Sequence, residues 1–340
     1  MTAPTPPPSR RPAPWVLVAM LLLAGACSSG GGGGRTEGEA APNTTALAGA
    51  ANDLTTTEAT APVVPAGGFP VTTHTESLVD DTRPTQDIPE TGVAPADSRT
   101  LVTTFTYPDA PGPFPLVVFA HGHYGHPRKF TKLFEAWAAA GFVVAAPSFP
   151  LSNDEVPGAA SVLDLSNQPG DVSFVISEAL RRSGEPGSFL QGRVNPEEIG
   201  VGGLSLGGGT TYLAAFDECC LDSRIDAAMV LDALRPDLSG LALDRGLPLL
   251  IVHADEDPVL PASSAEEAFA VAAPPKYLVI LHEAVHASPY EDEPDPADEL
   301  VRGTTTAFWR LHLAHDPDAA VELSRAARVD GLSTVTEQPG

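Results

Sequence analysis

The stretch Gly203-Leu204-Ser205-Leu206-Gly207 fits the pattern G-x-S-x-G, and its surroundings give that pattern chemical meaning. Ile199, Val201 and Leu204 make a short apolar run before the serine, and Gly208-Gly209-Thr210-Thr211-Tyr212-Leu213 reads as a helix after it. A serine on a sharp turn between strand and helix has its hydroxyl lifted to the top of a sheet by a strained backbone. The residues two before and two after it must be small, because a Cβ at either place would strike neighbouring backbone. The following helix directs its N-terminal N–H groups and positive dipole end at any oxyanion formed there.

A serine hydroxyl is a weak nucleophile at neutral pH, so it needs a base within hydrogen-bond reach and a carboxylate to orient that base. For a serine on such an elbow the partners follow in the chain, acid first and histidine second. Two loops downstream of Ser205 hold suitable residues. One is Ala254-Asp255-Glu256-Asp257-Pro258 and the other His282-Glu283-Ala284-Val285-His286-Ala287-Ser288. Each lies just past the C-terminal end of an apolar strand, where ligands bind in open α/β sheets. Asp257 is the expected acid: it lies deepest in its loop and Pro258 stiffens its backbone, with Asp232 as the alternative. His286 is the expected base, because it sits among small residues, whereas His253 and His282 belong to strand ends. Oxyanion donors are expected from the N–H of Leu206, directly after the serine, and from the N–H of His123 in the loop His121-Gly122-His123.

The elements that must position these residues alternate in type. Residues 71–79 and 100–107 alternate apolar with polar, as half-buried antiparallel strands do. Residues 115–120, 142–147, 227–231, 248–253 and 277–281 are apolar runs of the length of strands covered on both faces. Helical spacing runs through 129–140, through 171–182 with Asp171 as its N-cap, and through 298–313. Strands alternating with helices imply an α/β class domain: a mostly parallel sheet of about eight strands, helices on both faces, and the two antiparallel strands at one edge.

Two rival site readings fail on spacing. His121, His123 and His126 have the H-x-H-x-x-H spacing of zinc hydrolases, but Gly125 stands where that pattern wants an acid. Gly200-Val201-Gly202 begins a dinucleotide motif whose sixth position is Ser205 rather than glycine. No metal or cofactor is therefore expected.

The 340 residues carry a net charge of −25 with only 19 basic side chains, a field that repels nucleic acid and anionic lipid surfaces. Residues 1–27 have the layout of an export signal: Arg10 and Arg11, an apolar stretch from Trp15 to Leu23, small residues Ala24-Gly25-Ala26, then Cys27. This is similar to a bacterial lipoprotein signal, which implies a lipid on Cys27 and an anchored protein outside the cytoplasm. Residues 28–68 are rich in Gly, Ala, Thr and Pro and read as a flexible tether. The domain is then expected over 69–325, with a tail at 326–340. Cys219 and Cys220 read either as reduced small residues or as a vicinal disulfide, and the acidic run 291–299 reads as a solvated loop.

From about residue 69 to 313 the chain resembles an α/β-hydrolase. It is most similar to the branch holding plasma-type platelet-activating-factor acetylhydrolases, chlorophyllases, and dienelactone or polyester hydrolases. The residues that carry the resemblance are Phe114-Pro115-Leu116-Val117-Val118-Phe119-Ala120-His121-Gly122, Gly203-Leu204-Ser205-Leu206-Gly207-Gly208, Asp257-Pro258, His286 and Leu78-Val79-Asp80-Asp81-Thr82-Arg83. The resemblance implies cleavage of carboxylic esters through an acyl-enzyme. About sixteen residues separate Leu231 from Pro248, where many relatives insert a cap, so an open site is expected, shielded in part by the loop 152–170. The other readings are a substrate-binding lipoprotein without chemistry and an acyltransferase using the same three side chains.

Overall fold

Alternation along one strand explains how the sheet is covered. In Phe114–Ala120 (β3) every residue is buried: Leu116, Val118 and Ala120 face one apolar cluster, Val117 and Phe119 the other. Successive side chains of a strand point to opposite faces, so a strand apolar at every position requires cover on both. The computed structural model describes residues 62–340. The expected signal segment, Cys27 and nearly all of the expected tether lie outside the described residues.

Among the described residues nine strands form one sheet in the order β1-β2-β4-β3-β5-β6-β7-β8-β9. They are β1 (Val71–Asp80), β2 (Arg99–Pro108), β3, β4 (Val143–Ser148), β5 (Val194–Leu204), β6 (Ala227–Leu231), β7 (Leu249–Ala254), β8 (Lys276–Leu281) and β9 (Ser333–Gln338). The strands from β4 to β8 in that order pair in parallel, while β1 and β2 run antiparallel at one edge and β9 at the other. The α/β class and the antiparallel front edge thus agree with expectation, and the tail does not. The segment 326–340 contributes β9, whose residues alternate between half-buried and exposed against β8. Its mostly polar sequence, Ser-Thr-Val-Thr-Glu-Gln, hides that role.

Among the described residues six α-helices cover the sheet. Side chains of α2 (Gln168–Gly184), α3 (Leu206–Phe216) and α4 (Ser263–Val271) join the first cluster, and those of α1 (Thr131–Ala139), α5 (Asp298–His312) and α6 (Ala319–Ala327) join the second. On the second face Phe119 meets Phe130, Phe134 and Trp137 with ring centroids 4.9–5.8 Å apart, and Trp137 meets Trp309 edge-on at 5.9 Å. Each such buried ring contributes about 1.5–3 kcal/mol. Asp171 does not cap its helix: α2 begins three residues earlier at Gln168, with Pro169 in its first turn. The Asp171 carboxylate, fully buried, instead receives a two-pronged hydrogen bond from Arg99 at 2.7–2.9 Å.

No helix among the described residues is long and apolar enough to cross a membrane.

Candidate active site

Ser205 stands between β5 and α3 with φ 57° and ψ −115°, a backbone conformation that costs a non-glycine residue about 1–3 kcal/mol. Tertiary contacts hold it there. Its N–H donates to Leu231 O at 2.9 Å, and Leu234 N–H donates to its carbonyl at 2.8 Å, so the turn is fixed to the end of β6. A Cβ on Gly203 would overlap the Gly207 carbonyl, and one on Gly207 would overlap that of Ala120. These are the two positions that the serine pattern requires to be small.

The two downstream loops meet the serine as the order of residues predicts. His286 Nε2 lies 2.9 Å from Ser205 Oγ, and His286 Nδ1 lies 2.6 Å from Asp257 Oδ2. The other oxygen of Asp257 accepts the N–H groups of Val259 at 2.7 Å and Leu260 at 3.0 Å. Burial alone would raise the Asp257 pKa, but the hydrogen bond from His286 and those two backbone donors hold it below the usual carboxylate value. An ionised Asp257 fixes the His286 proton on Nδ1 and leaves Nε2 free to accept from the serine hydroxyl. Burial would lower the His286 pKa. The hydrogen bond and charge of Asp257, with the charges of Asp232 and Glu291, outweigh it and raise the value. The arrangement can deprotonate Ser205 as its oxygen attacks, and can return that proton to a leaving group.

Asp232, the alternative acid, is also at this site, with its nearest oxygen 3.8 Å from His286 Nδ1. It accepts Ala254 N–H at 2.7 Å and the hydroxyl of Tyr290 at 3.0 Å. The other strand-end histidines are occupied elsewhere. His253 Nε2 donates to Leu260 O at 3.1 Å, and His282 lies between Asp255 at 2.9 Å and Thr334 at 2.8 Å. Tyr290, four residues past His286, had no sequence signal, because its role depends on where Asp232 falls in space.

The loop after β3 approaches the serine closely. A Cβ on Gly122 would lie 3.1 Å from Ser205 Cβ. The N–H groups of Tyr124 and Gly125 donate to Ser152 O at 2.9 Å and Gly122 O at 2.8 Å. Leu206 N–H is the first of α3, where no intrahelical acceptor exists. The three histidines of this loop are each engaged separately. His121 Nε2 accepts Phe149 N–H at 3.0 Å, so its proton is on Nδ1, which donates to Gly122 O at 2.7 Å. Burial lowers the His121 pKa to about 4. His123 Nε2 donates to Ala160 O at 2.9 Å, and His126 Nδ1 accepts Arg128 N–H at 3.2 Å. Among the described residues the groups with carboxylate, imidazole or sulfur atoms close enough for one ion are Asp232–Asp257–His286 and Asp217–Cys219–Cys220. The first is already closed by its own hydrogen bond, and in the second the cysteines are joined as a vicinal disulfide.

The loop 152–170 is braced from below by buried polar groups that sequence reasoning missed. Arg99, fully buried on β2, pairs with Asp171 and with Asp164 Oδ1 at 2.7 Å. Asp164 Oδ2 accepts Leu151 N–H at 3.3 Å and Ser152 Oγ–H at 3.2 Å. Gln168 donates to Ser152 Oγ at 2.9 Å and accepts the hydroxyl of Thr210, on the helix that begins at the candidate nucleophile. Arg83 joins the same cluster through Asp80 at 2.6 Å and Asp171 at 2.9 Å. No local pattern marks an arginine inside a strand as buried; only its carboxylate partners do.

No protein-family model matches the chain, and no curated protein matches it.

Proposed function

We propose that the chain is a serine hydrolase of carboxylic esters with an α/β-hydrolase fold, in the manner of the branch it resembles. The observation that carries this reading is the unbroken line of hydrogen bonds from Ser205 through His286 to Asp257, with Ser205 on a strained turn at the head of α3. Ser205 Oγ attacks the acyl carbon while its proton passes to His286 Nε2. The tetrahedral oxyanion takes hydrogen bonds from the N–H groups of Leu206 and His123, each worth about 3–4 kcal/mol in such sites. His286 gives the proton to the departing alcohol, and water then repeats the sequence on the acyl-enzyme. No cofactor takes part. The loops carrying His123, Asp257 and His286 expose Tyr124, Val259 and Val285, which suits the apolar part of an ester. We place the protein outside the cytoplasm, anchored through a lipid on Cys27.

A non-catalytic binding protein would have no need of the strained serine backbone or of a buried carboxylate behind the histidine. An acyltransferase would share the acyl-enzyme and differ only in the acceptor. The test is labelling with a fluorophosphonate, followed by a chain-length series of p-nitrophenyl esters on the wild type and Ser205→Ala. A labelled Ser205 and hydrolysis lost in the variant support the enzyme. An unlabelled serine under conditions that label other esterases rejects it. Product partition between water and added alcohol separates hydrolase from transferase.

A further inference from the structure

The loop that carries His286 is tied to the loop that carries His123, although their strands are not neighbours. In the sheet order β5, β6 and β7 stand between β3 and β8. Yet the segment after His286 reaches the head of α1, the helix that follows the His123 loop. Asp292 makes the connection. Its Oδ2 accepts Thr131 N–H at 3.0 Å and its Oδ1 accepts Lys132 N–H at 2.9 Å. Its own N–H donates to Lys129 O at 2.7 Å, and its carbonyl accepts from Lys132 Nζ at 2.8 Å.

Those contacts meet a local need. The first N–H groups of a helix lack intrahelical acceptors, and the residue at the cap position of α1 is Phe130, whose ring cannot cap them. The carboxylate that does so lies 161 positions from Thr131 in the chain, and its charge also suits the positive end of the helix dipole. Both sides of the connection are short and braced. On one side Ala287 O accepts the N–H groups of Tyr290 at 3.0 Å and Glu291 at 3.2 Å, which closes the turn between His286 and Asp292. On the other, Lys129 N–H donates to His126 O at 3.0 Å and Lys129 Nζ donates to Tyr124 O at 3.2 Å, next to His123. Asp292 is half-buried, Thr131 and Lys132 are exposed, and none of the three belongs to either apolar cluster. Losing the tie therefore leaves the core in place.

Resting on the hydrolase reading above, we infer that Asp292 is a positioning residue, which sets the spacing between the His286 imidazole and the His123 N–H by capping α1 from the histidine loop. The oxyanion and the imidazolium form together in the transition state, one at each end of that spacing. A ground-state ester carries neither charge, so an error in the spacing falls on the chemical step rather than on binding.

The experiment compares wild type, Asp292→Ala and Asp292→Asn in the full chain, at a temperature where melting curves show each of them folded. A short p-nitrophenyl ester gives kcat and KM, and a trifluoromethyl ketone gives an inhibition constant. Ser205 Oγ adds to the carbonyl carbon of that ketone, its proton moves to His286, and the carbonyl oxygen becomes an alkoxide at the oxyanion donors. Asp292→Ala is expected to lower kcat by about 10-fold to 10²-fold and to leave KM within about threefold. The inhibition constant is expected to rise by about the factor by which kcat/KM falls. Asp292→Asn, which keeps one acceptor oxygen, is expected to lie between wild type and Asp292→Ala. An unchanged kcat, a loss confined to KM, or a lower kcat with an unchanged inhibition constant would each overturn the inference. Should Asp292→Ala not fold, the same three readings on Asp292→Asn decide. Fluorophosphonate labelling of Ser205 in the wild type checks the hydrolase reading separately, so the inference can fail while that reading stands. A wild type neither labelled nor active ends both.

Discussion

Asp257 and His286 approach to 2.6 Å although 29 positions separate them in the chain. Each is held by backbone rather than by a long side chain: Asp257 by the N–H groups of Val259 and Leu260, and His286 by a loop whose flanking residues Glu283 and Ala287 adopt φ 56° and 68°. Two short loops with fixed ends deliver the pair to one edge of the sheet. That economy makes the pH behaviour specific.

The base works only when neutral, and its pKa is raised above the ordinary 6.5, chiefly by Asp257 acting against burial. The acidic limb of kcat/KM for ester hydrolysis is expected to have its midpoint above pH 6.5, with activity rising toward alkaline pH. A midpoint at or below that value would contradict the geometry.

Close packing under the serine is expected to make Gly207→Ala severe. The added methyl overlaps the Ala120 carbonyl, so either β3 or the turn must shift. A loss of more than about 3 kcal/mol in urea unfolding, with ester hydrolysis abolished, is the expected outcome. Gly184→Ala, at the end of α2 with nothing within 4 Å of the new carbon, should be neutral or stabilising by up to about 1 kcal/mol.

His121 supplies a stability signal separate from catalysis. Its folded pKa is about 4 against an ordinary 6.5, so below pH 6.5 the unfolded chain gains a proton that the folded chain refuses. Stability is expected to fall as pH drops from 6.5 toward 4, by up to about 3 kcal/mol from this residue. Urea curves at about pH 7.5 and about pH 4.5 should show a smaller difference in His121→Asn than in the wild type. An equal difference would mean that the imidazole is not the group refusing the proton.

Ending the chain after Gly331 removes β9 and opens the edge of β8, the strand from which the His286 loop leaves. Lower thermal stability and concentration-dependent association are expected, since an uncovered strand edge pairs with other chains. A truncated chain that stays monomeric with unchanged melting would show that β9 adds little.

How far the sequence revealed this arrangement depended on the kind of signal. The apolar runs at Leu116, Val144, Val230, Ile251 and Val279 announce a covered sheet, and parallel strands put all their C-terminal ends at one edge. The order of Ser205, Asp257 and His286 along the strand ends was therefore enough to expect them together. What stayed hidden was polar and non-local. Asp171 has the chemistry of a helix cap, yet Arg99, 72 positions earlier, claims its carboxylate. The short helices α4 and α6 offer little more than two turns of alanine-rich sequence, and β9 has a single apolar residue, Val335. The vicinal pairing of Cys219 and Cys220 was one of two readings that sequence left open, and the structure has them bonded.

The braced segment between Ser152 and Gly170 carries a warning for redesign. Because Asp164 and Gln168 answer at once to Arg99 and to Thr210, trimming that segment to admit bulkier esters would leave the buried Arg99 guanidinium to Asp171 alone and loosen the helix that starts at the nucleophile. Widening the groove therefore calls for exchanging all four partners together, for example for a matched apolar set, rather than for one deletion at the rim.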